Sequence, residues 1–136
     1  MSLPAWWPRF LERIERLGTL IPEAIEDGER TVGINEKSLE NAKKFAATLV
    51  DVAVPGTFIQ HDGLTRLIWQ SGGIEGVRLF SEQVAIKFRE DDLVQFVIFR
   101  VEQGDRGTSD IMGTAHVDAI LDIVNALGLD HVMQGK

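Results

Sequence analysis

The sequence predicts a single α+β domain: two N-terminal helices, a four- to five-stranded antiparallel meander, and one C-terminal helix packed on the sheet. Three observations carry that expectation. Apolar residues recur at spacings of three and four in the first third of the chain and again near its end, the period of a helix buried along one face. Between these stretches apolar and polar residues alternate in short runs, the period of a strand. Tight Gly- and Asp-containing turns join those runs, and consecutive strands joined by tight turns pair antiparallel.

Trp7, Phe10, Leu11, Ile14 and Leu17 form the stripe of a first helix, with Pro8 in its first turn and Gly18 as its expected stop. Residues 22–34, punctuated by Pro22, Gly28 and Gly33, read as a long acidic connection with a short helical turn at most around Glu23–Glu26. Asn35 is a good N-cap for a second helix whose stripe is Leu39, Ala42, Phe45, Ala46 and Leu49, ending near Val50 before Pro55-Gly56. Thr57–Gln60 and Leu64–Trp69 flank His61-Asp62-Gly63, a strong hairpin signal. Gly76–Phe80, Gln83–Arg89 and Leu93–Val101 follow as strands, the last two joined by Glu90-Asp91-Asp92. Leu93–Val101 is apolar on both faces, which suits a central strand or one covered on both sides. A polar loop over Gln103–Asp110 and a short strand at Ile111–Met112 precede a helix capped by Thr114, with Val117, Ile120, Leu121, Val124 and Leu127 as its stripe and Gly128 beyond its end.

With 136 residues the chain is expected to form one domain over 1–136, frayed at 1–6 and 129–136. The absence of cysteine excludes disulfides, thiolate metal sites and cysteine nucleophiles. The net charge of −7, from 21 acids and 14 bases, disfavours direct nucleic-acid binding, and no Lys/Arg run exceeds Lys43–Lys44. Phe88 and Phe96 near Lys87, Arg89 and Arg100 form only a faint version of a base-stacking sheet. No apolar run is long enough to span a membrane, and Met1–Arg9 lacks the basic and apolar regions of a secretory signal, so the expected location is cytoplasmic.

The motifs that carry chemistry are sparse. His61, His116 and His131 form no metal-binding pattern. His61-Asp62 reads first as a turn, and His116 with Asp118 and Ser109 lacks the strained elbow of a nucleophilic serine. Asp118 and Asp122 share a helical face near Asp110, where two carboxylates could hold a hard cation, although a solvated face is the simpler account. The glycine-rich segments have no phosphate-loop spacing. No cofactor or metal is expected.

Two stretches carry a resemblance: Ser38-Leu39-Glu40-Asn41-Ala42-Lys43-Lys44-Phe45, and Asp62-Gly63-Leu64-Thr65-Arg66-Leu67-Ile68-Trp69 after an intervening proline. This order resembles a group of short α+β proteins of bacteria and their mobile elements. Their Gly-Trp-Asp-Gly element corresponds to Glu26-Asp27-Gly28-Glu29 here, without the tryptophan. The resemblance implies a small accessory protein of phages, plasmids or defence loci and assigns no site residue.

The expected function is therefore a non-enzymatic protein-binding module. An inhibitor or antitoxin would use acidic residues against a partner with a basic nucleic-acid-binding surface. The candidate contacts are Glu23, Glu26, Asp27 and Glu29 in one cluster and Glu90, Asp91 and Asp92 in another. Two alternatives remain: a small hydrolase or nucleotide-handling enzyme using His61, Asp62, His116, Asp118 and Asp122, and a protein that self-associates into a homodimer through Trp6–Trp7 or an edge strand.

Overall fold

The computed structural model describes residues 3–71, 82–101 and 108–134. Helices α1 (Trp7–Glu26) and α2 (Glu36–Ala47) precede five strands: β1 (Gly56–Ile59), β2 (Thr65–Ser71), β3 (Glu82–Phe88), β4 (Leu93–Val101) and β5 (Thr108–His116). A 3₁₀ turn (Val117–Ala119) and two short helices, α3 (Ile120–Ala126) and α4 (Asp130–Met133), complete the order. The strands form one antiparallel sheet in sequence order. The fold is the α+β meander that the periodicity predicts. The Gly72-Gly73 break, the expected strand Gly76–Phe80 and residues 102–107 of the expected polar loop lie outside the described residues.

The helices share one face of the sheet. Phe10 of α1, Ala42, Phe45 and Ala46 of α2, Ile120 and Val124 of α3, and Val132 and Met133 of α4 meet Leu67, Trp69, Val84, Ile86, Phe88, Val94, Phe96 and Ile98 in one core. A smaller cluster joins Leu17 and Ile21 of α1 to Ile59 of β1. These buried apolar faces, not helix propensity, hold short helices such as α3 and α4 in place.

Four expectations are corrected. The first helix does not stop at Gly18 but runs through Gly18 and Pro22 to Glu26, so the acidic loop over 22–34 is in large part helix. Leu17 and Ile21 bury against Ile59, and that contact outweighs the loss of the one hydrogen bond that Pro22 cannot donate to Gly18. The last strand is nine residues long and takes up Thr114, so His116, not Thr114, caps the following turn: its Nδ1 accepts from the Asp118 amide at 3.2 Å. The single C-terminal helix is split at Leu127–Leu129, where Gly128 adopts a left-handed φ of 71°, and Leu121 and Leu127 are exposed. The tail expected to fray from residue 129 instead places Leu129, Val132 and Met133 in the core, and the Ala53 amide donates to the Met133 carbonyl at 2.7 Å. At the other end, Trp6 packs edge-on against Phe10 and donates through Nε1 to the Val52 carbonyl at 2.9 Å.

β4 matches its expected span and lies inside the sheet, paired on both sides by β3 and β5. On the face away from the helices, register places Gly56, Ile68, Ala85, Val97 and Met112 in one row across all five strands. This row explains why the β4 sequence is apolar on both faces. Gly113 lies opposite Phe96, and a β-carbon there would come within 2.9 Å of the Phe96 ring, so the aromatic fills the space a side chain would take.

Candidate groove beside the β3–β4 turn

Helix α2 is fixed to one end of the sheet by a polar row spaced three residues apart. The Asn35 side chain accepts from the Ser38 amide at 2.9 Å and donates to Glu90 Oε1 at 2.7 Å. Ser38 is fully buried; its hydroxyl donates to the Phe88 carbonyl at 2.6 Å and accepts from the Thr65 amide at 2.8 Å. The paired register of β2 and β3 ends one residue earlier, at Arg66 and Lys87, so Ser38 bridges the ladder where the two strands part. Asn41 donates through Nδ2 to the carbonyls of Arg89 at 2.9 Å and Asp91 at 3.3 Å. Buried polar backbone must be paired, and α2 supplies those partners.

These bonds set one wall of a groove of about 520 Å³. Lys37, Asn41 and Lys44 of α2 line it together with Asp91, Asp92 and Asp118, and Phe45, Phe88, Val94, Val117 and Leu121 supply apolar lining. The Val117 amide donates to the Asp92 carbonyl at 2.8 Å, which ties the 3₁₀ turn to the β3–β4 turn. Asp91 Oδ1 accepts from the Leu93 amide at 3.0 Å, and Oδ2 pairs with Arg89 at 3.2 Å. The groove lining thus combines apolar side chains, three carboxylates and two lysines.

The expected contacts fall into two places. Asp91 and Asp92 line the groove, and Glu90 adjoins it through Asn35. Glu23 and Glu26 are exposed on the last turns of α1, Asp27 is its C-cap, and Glu29 follows in a turn. Arg30 donates to the carbonyls of Ile59 at 3.2 Å and Gln60 at 2.6 Å, which brings the end of α1 to the same end of the sheet. Lys37, Lys44 and Val117 were not singled out from sequence as groove residues. The spacing of Asn35, Ser38 and Asn41 was the available signal that this side of α2 meets polar backbone.

The catalytic candidates do not converge. His61 lies in the β1–β2 turn and His116 at the end of β5, and β2 and β5 are three strand spacings apart, roughly 14 Å. Asp62 hydrogen-bonds Lys87 and accepts from the Leu64 amide. Partial burial raises its pKa, but the Lys87 hydrogen bond and charge, with the Leu64 amide, outweigh that and hold it below the ordinary carboxylate value. His131 Nε2 lies 2.7 Å from Glu82 Oε1, joining α4 to β3. Among the described residues no group of three or more His, Cys, Asp or Glu could hold a metal ion, and no helix is long and apolar enough to cross a membrane. No protein-family model, curated protein or solved structure matches the chain.

Proposed function

We propose that this chain is a protein-binding module whose groove beside the β3–β4 turn receives a basic segment of a partner. The observation that carries the reading is the groove's construction: apolar side chains beneath a rim of Asp91, Asp92 and Asp118. A partner segment would bury an apolar anchor on Val117 and Leu121, the accessible apolar side chains of the lining, and set Lys or Arg against the carboxylates. Lys37 and Lys44, in the same lining, would add positive charge that restricts how the segment can be oriented. The net charge of −7 steers such a partner toward the surface. The resemblance to mobile-element accessory proteins supports an inhibitor or antitoxin whose carboxylates take the place of nucleic-acid phosphates on the partner.

The test is site-specific photo-crosslinking in the native host. A crosslinker at Leu121, on the groove, should capture the partner, and one at Glu12 of α1 should not. With the captured partner purified, Asp91→Lys with Asp92→Lys should weaken binding at least about tenfold and flatten its salt dependence. Charge reversal at Glu26 and Glu29 is the competing arm. If that pair alone weakens binding, the site belongs to the end of α1; if neither pair does, the acidic contact is wrong.

A further inference from the structure

The two edges of the sheet are finished differently. At β1, Arg13 and Arg30 reach the outward carbonyls of Thr57 and Ile59 at 3.4 and 3.2 Å, so the edge is capped by guanidinium groups. At β5, nine residues long, no hydrogen bond among the described residues caps the outer edge between Asp110 and Ala115. The strand holds no lysine and no proline, the usual devices against edge pairing. Following the alternation of inward and outward peptide groups through the registered pairs, the outward groups of β5 include those of Asp110, Met112 and Thr114. Met112 is 73% exposed and Ile111 45%.

We infer that β5 pairs antiparallel with β5 of a second copy of this chain, with the two-fold axis at Met112. That register keeps outward peptide groups facing outward peptide groups, as an antiparallel ladder requires. It sets Met112 against its own copy and Asp110 against Thr114 of the second copy. Asp110 is the only carboxylate of the strand, so no like charges stand directly opposite despite the chain's net charge. It also continues the row formed by Ile68, Ala85, Val97 and Met112 into the same row of the second copy, so that Met112, the most exposed apolar side chain among the described residues of the sheet, is covered by its equivalent. A foreign strand could satisfy the hydrogen bonds, but only the second copy supplies this apolar row and this charge pattern from residues already on the chain. The groove of the proposed function lies on the helix-covered face, so the dimer leaves it accessible and the two readings stand or fall separately.

The chain contains no cysteine, which makes Met112→Cys a single-site probe. Across a hydrogen-bonded antiparallel pair the α-carbons are about 5.5 Å apart, within disulfide range. Under mild oxidation Met112→Cys should convert to a covalent dimer, whereas Phe58→Cys on the capped edge should remain monomeric. Sedimentation equilibrium of the unmodified chain should show a concentration-dependent dimer. Met112→Lys, with unchanged circular dichroism, should weaken that dimer at least about tenfold by placing two ammonium groups together. A chain that stays monomeric at submillimolar concentration overturns the inference. So does a dimer indifferent to Met112→Lys, or equal crosslinking at positions 58 and 112.

Discussion

Helices α1 and α2 lie against the same sheet but are held by different forces. α1 makes its attachment with an apolar stripe, Phe10 to Ile21, and ends in a cluster of acids with no basic residue in its last turn to complement the helix dipole. α2 adds to its stripe a polar row, Asn35, Ser38 and Asn41, bonded to the backbone and side chains of residues 88–91. The consequence is two acidic clusters of different character. Glu23, Glu26, Asp27 and Glu29 sit exposed at a helix end, whereas Glu90, Asp91 and Asp92 sit on a turn whose backbone is fixed from both sides, by α2 and by Val117. Charge beside apolar lining is better suited to selective recognition than charge on an open helix end, which is the reason for proposing the turn as the contact.

The contrast is broken most severely at the anchors. Phe10→Ala removes a fully buried aromatic from the main core and should cost about 3–5 kcal/mol, read as a shift in the urea midpoint. Ser38→Ala deletes only one oxygen, yet it strands the Thr65 amide and the Phe88 carbonyl, and should cost about 2–4 kcal/mol. It should also increase hydrogen exchange at the Thr65 amide ahead of the rest of β2. A cost below about 0.5 kcal/mol would mean that α2 is held by its apolar stripe and that its buried polar row adds little.

Gly18→Ala sharpens the comparison with an effect of opposite sign. Gly18 lies within α1 and faces open space, with nothing within 4 Å of an added β-carbon. In a continuous helix the substitution should stabilise by about 0.5–1 kcal/mol, read as a rise in melting temperature. Were Gly18 a left-handed stop, the same change would destabilise.

That residue also shows what was legible. The Gly18 and Pro22 signals are local, and locally they favour a break. Leu17 and Ile21 continue the helical period, but their weight depends on Ile59, far along the chain, and a single sequence does not reveal that contact. The beginning of α2 was readable because Asn35 caps Ser38 within one turn. The hairpin at Asp62-Gly63 was readable because Gly63 takes a left-handed φ of 88°, and a β-carbon there would meet the Gly33 carbonyl at 2.5 Å. The C-terminal tail reads as frayed in sequence because its Leu129, Val132 and Met133 are too few to show a period, yet the sheet offers them a core. For the groove, Asp91 and Asp92 are visible as charge. Lys37 and Lys44, which line the same groove, stand in the sequence only as polar residues of an amphipathic helix.

The smallest effect concerns Asp62, a carboxylate outside both acidic clusters that is fixed on a hairpin. Asp62 is bonded by Lys87 and by the Leu64 amide, and its pKa is lowered: burial alone would raise it, but those bonds and the Lys87 charge prevail. A lowered native pKa means that the unfolded chain binds the proton more readily. The contribution of Asp62 is therefore complete above the unfolded value, near 3.8, and is lost as the pH falls through the lower folded value. With 48% of the Asp62 side chain exposed, solvent screening keeps that contribution below about 1 kcal/mol. Asp62→Asn should thus be slightly less stable than the parent chain at neutral pH, and the gap should close in acid. A gap that persists below the folded pKa would assign the loss to the Asp62–Leu64 turn geometry rather than to the ion pair with Lys87. Asp62 would then hold the hairpin by shape, as Asn35 holds the start of α2, and charge would be secondary at both ends of this polar seam.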